Sequence, residues 1–142
     1  MEIKLVDEQS FHHALEIYTA SWKKSHRDVC TPEFLKNRDH SGYLRTKLGK
    51  LWMISDGTVV GVFSLDGESF GDLYIHPSHQ GRGYGKAAIH FAKQRTAVLR
   101  LTVLSNNSAA IARYEKMNFC FTGNDTPLRD GLWEREMVYT EL

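Results

Sequence analysis

The stretch Leu73-Tyr74-Ile75-His76-Pro77-Ser78-His79-Gln80-Gly81-Arg82-Gly83-Tyr84-Gly85-Lys86 runs from a strand-like apolar segment into the start of a helix. It carries three of the chain's 11 glycines at alternate positions. Glycine accepts positive φ and has no side chain, so backbone N–H groups there can converge on one anion. The positive end of the following helix adds to that pull, and phosphate is the anion such a site favours. Arg82 and Lys86 stand close enough in sequence to add charge. A tight strand-to-helix turn with no ligand would use the same residues. Two phosphate loops fail on spacing. A GxxxxGK[ST] loop needs Gly at 80 and Ser or Thr at 87, where the chain has Gln80 and Ala87. A GxGxxG loop from Gly81 needs Gly or Ala at 86, which is Lys86.

Working outward, Glu68 to Ile75 reads as a strand entered from an Asp66-Gly67 turn and ended by His76-Pro77. Before it, Leu51 to Ser55, Asp56-Gly57 and Thr58 to Leu65 read as a hairpin on a DG turn. Residues 2–6 alternate as a first strand. Phe11, Ala14, Leu15, Tyr18 and Trp22 recur at three and four, which predicts a helix from Asp7 to Trp22. Ser21 to Cys30 is polar, and Thr31 with Pro32 suits the cap and first position of a helix. Residues 34–48 hold one or two short helices, with a break at Ser41-Gly42. Beyond the glycines a helix runs from about Gly83 to Arg95, then a buried strand from Val98 to Leu104 and a helix from Asn107 to Met117. Phe119 to Thr122 and Trp133 to Tyr139 close the chain as strands. The order is β-α-α-β-β-β-α-β-α-β-β, which suits a mixed sheet covered by helices.

The 142 residues are 42% hydrophobic and 25% charged, with no repeat, low-complexity stretch or linker. A single domain over 1–142 is expected, since a domain takes roughly 150 residues. Lys and Arg number 18 against 17 Asp and Glu, a balance that argues against nucleic acid or an anionic membrane as the main partner. The longest unbroken run of apolar residues and glycine, Val59-Val60-Gly61-Val62-Phe63, falls far short of the ~18 residues of a spanning helix. Charges break up the first eight residues as a signal core, so a cytoplasmic location is expected. Cys30 and Cys120 form no CxxC or framework, which removes zinc and disulfide scaffolds, and no metal is expected.

Gln80-Gly81-Arg82-Gly83-Tyr84-Gly85 resembles the Q/R-x-x-G-x-G/A pyrophosphate loop of the GNAT superfamily of acyl-CoA-dependent N-acyltransferases. Leu73-Tyr74-Ile75-x-Pro77 is similar to the end of that family's fourth strand. Asn107-Ser108-Ala109-Ala110-Ile111-Ala112-Arg113-Tyr114-Glu115-Lys116-Met117-Asn118-Phe119 independently resembles its N-x-x-A-x-x-x-Y-x-x-x-G-F. The resemblance implies an α/β (α+β) fold with a mixed, mostly antiparallel central sheet and helices on both faces. It implies acetyl-CoA as cosubstrate and an amine as acceptor, in a monomer or homodimer. Gln80, Gly81, Arg82, Gly83, Gly85 and Lys86 would bind the pyrophosphate. The backbone at Leu73 and Ile75 would pair with the pantetheine amides, and one N–H there would polarise the thioester carbonyl. Asn107 would contact the pantetheine arm, although an Asn there also suits a helix N-cap. Tyr114 matches the tyrosine that donates a proton to the leaving thiolate, and it also belongs to an apolar stripe with Ala110, Ile111 and Met117. Asn118 replaces the family glycine, and Asn is the next-best residue for a left-handed cap.

The general base is less well marked. Some family members place a carboxylate on the fifth strand five residues before the helix asparagine, where this chain has Thr102. Glu68 and Asp72 on the fourth strand are the candidates, sharing one face by the period of two unless a β-bulge shifts the phase. His76 and His79 are of the residue type suited to proton transfer near neutrality but sit in a loop, where a histidine is more often only solvated. The resemblance implies an acceptor pocket built by Trp22 to Pro32 and Asp125 to Trp133. The lost carboxylate leaves a second reading open, an acyl-CoA-binding sensor or regulatory module that catalyses nothing.

Overall fold

The computed structural model describes residues 1–25 and 39–141. The expected helix start at Thr31-Pro32, the basic stretch through His26 and Arg27, and the first part of the 34–48 region lie outside the described residues. Seven strands form one sheet, β1 (Glu2–Leu5), β2 (Leu51–Ser55), β3 (Val59–Asp66), β4 (Ser69–Ile75), β5 (Val98–Leu104), β6 (Cys120–Arg129) and β7 (Leu132–Thr140). Their spatial order is β1-β2-β3-β4-β5-β7-β6. Every pairing is antiparallel except β4 with β5, which are joined by a crossover through the helix after the glycine turn. The sheet is mixed, as the element order implied, and mostly antiparallel, as the resemblance implied.

Helices α1 (Phe11–Ser25) and α2 (Ser41–Arg45) cover one face, and α3 (Tyr84–Lys93) and α4 (Ser108–Lys116) the other. On the first face Phe11, Ala14, Tyr18 and Trp22 of α1 pack on Leu44, Leu51 and Val62. Their three-and-four spacing is why the segment is helical. On the second, Ala88, Ile89 and Ala92 of α3 close over Phe63, Phe70, Leu99 and Met137. Burying a large apolar side chain stabilises by about 1.5–3 kcal/mol, so both helices are held by the sheet rather than by their own propensity.

Several expected boundaries move, each for a local reason. α1 begins at Phe11, not Asp7, because Asp7 and Ser10 bond each other's backbone: Ser10 N–H donates to Asp7 Oδ1 at 2.9 Å and Asp7 N–H to Ser10 Oγ at 3.0 Å. Ser41-Gly42 opens α2, and Ser41 N–H donates to Asp39 Oδ1 at 2.9 Å. Glu68 falls in the turn before β4. The closing hairpin is much longer than the two short strands read from the sequence. It turns at Asp130-Gly131, whose φ values of 50° and 77° suit a two-residue hairpin. Gly123 and Pro127 are absorbed as irregularities in β6, which a sheet edge allows.

Asn118 has φ 71° and ends α4 as expected. Phe119 N–H donates to Tyr114 O and Asn118 N–H to Glu115 O, both at 3.0 Å, while the Phe119 ring sits 5.8 Å from that of Tyr114. This is a Schellman closure with its apolar contact. Asn118→Gly should therefore raise stability, and Asn118→Ala should lower it by about 1 kcal/mol, as measured by urea unfolding.

Candidate active site

β4 and β5 share one register pair, Ser69 with Arg100, and part beyond it. The parting makes a V that opens toward Ile75 and Leu104. His76 N–H donates to Val60 O at 2.8 Å, and Tyr74 lies opposite Val62. In an antiparallel ladder alternate residues face the same neighbour, so Tyr74 and His76 turn their backbone to β3. Leu73 and Ile75 turn theirs into the V. Ile75 O is already engaged there, accepting from Ser21 Oγ of α1 and from Gln80 Nε2, each at 3.0 Å. Its N–H remains directed at the gap. Lys24 Nζ donates to Gln80 Oε1 at 3.1 Å, so the end of α1 braces the loop. The side chain of Gln80 is thus turned to the protein.

The glycine loop has the backbone its sequence requires. Gly81 and Gly83 have φ of 78° and 86°. Gly83 occupies the N-cap of α3 with no side-chain cap. The N–H groups of Tyr84, Gly85 and Lys86 have no intrahelical acceptor, as at every helix start. Gly85 is ordinary helix, and a Cβ there would lie 3.6 Å from Leu73. Arg82 and Lys86 are exposed at its edge. By contrast α4 is capped, since Ala110 N–H donates to Asn107 Oδ1 at 3.2 Å. An open helix start beside the mouth of the V is a place for an anion.

Tyr114 is half-buried against the second-face core with Phe119. Burial raises its pKa above the ordinary 10.0, with Arg113 opposing weakly, so the phenol keeps its proton at neutral pH. The two candidate carboxylates do not join. Glu68 accepts from Arg100 Nε at 3.1 Å, and Arg100 Nη1 also reaches Glu136 at 3.4 Å. Asp72 accepts from Tyr43 at 2.9 and 3.1 Å and from Ser64 at 2.9 Å. Burial, then the Asp72 charge and hydrogen bond, push the Tyr43 phenol well above its usual range. The shared face inferred from the period of two fails at Asp72, whose φ of 50° marks a bulge. Phe70 stacks on Phe63 while Asp72 bonds Ser64, the next residue along β3 and on the opposite face.

Thr102 has a carboxylate as its neighbour after all. Its register partner on β7 is Glu136, which hydrogen bonds from Thr122 and Asn124, and then Arg100, hold below the usual carboxylate range. The sequence reading missed Glu136, although the alternation of β7 puts it opposite the buried Met137. It also missed Ser21, a polar residue on the buried stripe of α1. His76 and His79 stand apart from the V, lining an open groove of about 450 Å³ with His13, Glu16, Thr58 and Val59. Among the described residues no three His, Cys, Asp or Glu side chains gather as metal ligands, and no helix is long and apolar enough to cross a membrane.

The splayed strands, the glycine loop and the closing helix correspond to a family pattern that matches residues 11–119, that of the acetyltransferase (GNAT) family. The chain belongs to this family. Within it, 65 residues are 38% identical to streptothricin acetyltransferase of Streptomyces lavendulae, covering 42% of this chain and 34% of that protein. Another 64-residue match is 36% identical to peptidyl-lysine N-acetyltransferase YjaB of Salmonella typhimurium (strain LT2), covering 45% of this chain and 44% of that one. The matches therefore span less than half the length of these relatives. The fold of apo YjaB from Escherichia coli superposes with a TM-score of 0.78 at 21% identity, over 99% of this chain and 98% of that one. PaiA N-acetyltransferase of Thermoplasma acidophilum, solved with coenzyme A, gives 0.74 at 19%, over 98% of both chains.

A Cβ at Gly83 would meet no atom of the described residues within 4 Å, so the fold constrains this position through its φ of 86° alone. If acetyl-CoA binds at this loop it should raise the melting temperature of the wild type, and Gly83→Val, strained at that φ, should fold yet lose the rise. That rise corresponds to roughly 2.7 kcal/mol at ~100 times Kd. An equal shift in the variant would remove the loop from the site.

Proposed function

We propose that this GNAT protein is an N-acetyltransferase that moves the acetyl group of acetyl-CoA to a primary amine by direct attack in a ternary complex. The observation that carries the reading is the V itself. An outward N–H from β4 meets an uncapped helix start at one end of a gap long enough for an extended chain of amides. Pyrophosphate would take the N–H groups of Gly81 to Lys86, with Arg82 and Lys86 adding charge and Gln80 bracing the turn. The pantetheine would lie along Leu73 and Ile75 and pass Asn107. At Ile75 the exchange would use the N–H, because the carbonyl is held by Ser21 and Gln80.

The amine nitrogen attacks the thioester carbon, the C–N bond forms and the C–S bond breaks. A β4 N–H stabilises the charge on the carbonyl oxygen. Tyr114 gives its proton to the departing sulfur, yielding free thiol and an amide. The amine's own proton leaves to water or through Glu68. The named relatives act on streptothricin and on peptidyl-lysine, which makes lysine-bearing peptides and streptothricin the first acceptors to try. A sensor of acyl-CoA would bind the same ligand without turnover, and thiol release with a panel of amines separates the two.

Tyr114→Phe should bind acetyl-CoA as the wild type does and lower kcat by roughly 10²-fold. The raised folded pKa means the proton is held up to and beyond pH 10.0, where an unfolded tyrosine loses half of it. A tyrosine limb in the kcat profile should therefore lie above pH 10.0 and vanish in the variant. The same shift stabilises the fold below the unfolded value and is lost as pH rises through the folded one.

Glu68→Gln tests the route of the amine proton. If Glu68 takes it, kcat/KM should fall most at neutral pH and recover in alkali, where the amine deprotonates unaided. An equal loss at all pH values assigns Glu68 to binding, and no loss assigns the proton to solvent.

A further inference from the structure

One extra residue in a strand reverses which of its backbone groups face a given neighbour from that point on. β4 has such a residue. Ser64 lies opposite Gly71 and Val62 opposite Tyr74, so three steps of β4 match two of β3. Asp72 takes the left-handed backbone there, a conformation Asp tolerates better than most residues other than glycine and asparagine. Both of its carboxylate oxygens are held. Ser64 Oγ, from a residue 5% exposed, donates at 2.9 Å from β3 itself. Tyr43 Oη donates at 2.9 and 3.1 Å from α2, a helix fixed by the fully buried Leu44.

We infer that Tyr43 and Ser64 are positioning residues that, acting through Asp72, lock the phase of β4 and so aim the backbone N–H groups of Leu73 and Ile75 into the V. The inference rests on the acetyl-transfer reading and deepens it. It makes Asp72 a brace in place of a base, since its lone pairs are already engaged by hydroxyl donors. Slippage of the bulge would return Leu73 and Ile75 toward β3 and take the donors away from the thioester oxygen. A displacement of about 1 Å at such a site can cost 10²-fold in rate. The lock also ties the donor side of the V to α2, on the opposite face of the sheet from α3 and α4.

The test compares wild type with Tyr43→Phe, Ser64→Ala and the double variant in steady-state turnover from pH 6.5 to 9.5, alongside backbone amide hydrogen exchange by NMR. In the double variant kcat should fall by about tenfold or more, with KM for acetyl-CoA within about threefold and the shape of the pH profile kept. In the wild type Tyr74 and His76 amides should exchange slowly and Leu73 and Ile75 quickly. The double variant should narrow that contrast by about tenfold. Tyr43→Phe keeps the ring and should show the same signs at smaller size, which preserves the test if the double variant unfolds. Asp72→Asn keeps an acceptor for both hydroxyls and tolerates positive φ, so it should retain more rate than Asp72→Ala at every pH. Unchanged kcat and exchange in Tyr43→Phe and the double variant would overturn the inference. So would a loss in Asp72→Asn that is greatest at neutral pH and recovers in alkali, because that marks a base. If the wild type neither binds nor turns over acetyl-CoA, the acetyl-transfer reading fails, while the exchange contrast still decides whether the lock exists.

Discussion

Two parallel strands that pair at a single residue leave backbone groups with no partner along the rest of their length. Buried amides without partners are costly, so such a gap is tolerated only where water or a ligand fills it. The rest of the molecule accommodates that parting of β4 from β5. β7 pairs along the whole of β5, from Val98 with Thr140 to Leu104 with Glu134, which keeps β5 rigid while its other edge stays open. β3 does the same for β4 through the bulge. The helices then close both faces over continuous apolar cores, so the V is held open from outside and needs no filler of its own.

The gap is also chemically lopsided. Ile75 O has its acceptor capacity taken by Ser21 and Gln80, whereas the Ile75 N–H and the first-turn N–H groups of α3 meet no acceptor among the described residues. An opening richer in donors than in acceptors favours a ligand rich in carbonyl and phosphate oxygens. Lys24, drawn to Gln80, and the exposed Arg82 and Lys86 add positive charge at the same end. A chain whose overall charge is +1 therefore still presents a locally positive mouth, which the total could not reveal.

Most of this was legible where local chemistry decides the backbone. Gly81, Gly83 and Asn118 have the left-handed conformations their types allow, and Asn107 caps the helix that its position suggested. The Asp56-Gly57 and Asp66-Gly67 turns stand where they were read, but Asp130-Gly131 was passed over. Its strands are interrupted by Gly123 and Pro127, which look like breakers until the sheet shows β6 to be an edge. The bulge at Asp72 was harder still. The sequence allows a bulge without placing it, since Phe70 and Leu73 stand three apart in SFGDLYI, and the phase is decided by Tyr43 and Ser64, distant in sequence. Glu136 became visible only through register, as the neighbour of Thr102 across β5 and β7.

The fate of the amine proton turns on those same tertiary contacts. Glu68 and Glu136 share Arg100, and Asp72 is bonded by two hydroxyls, so each carboxylate must give up an ion pair or hydrogen bond to accept a proton from substrate. An acceptor with an amine pKa near ~8 presents about one neutral molecule in ten at pH 7, against about one in 2,500 for a lysine-like amine. That ratio of about 250 is worth roughly 3 kcal/mol, more than one exchanged surface ion pair returns. On the acetyl-transfer reading, an enzyme whose Glu68 stays paired with Arg100 must draw a lysine-like amine into the V already neutral. Its rate on such an acceptor would then rise about tenfold per pH unit until another step limits it.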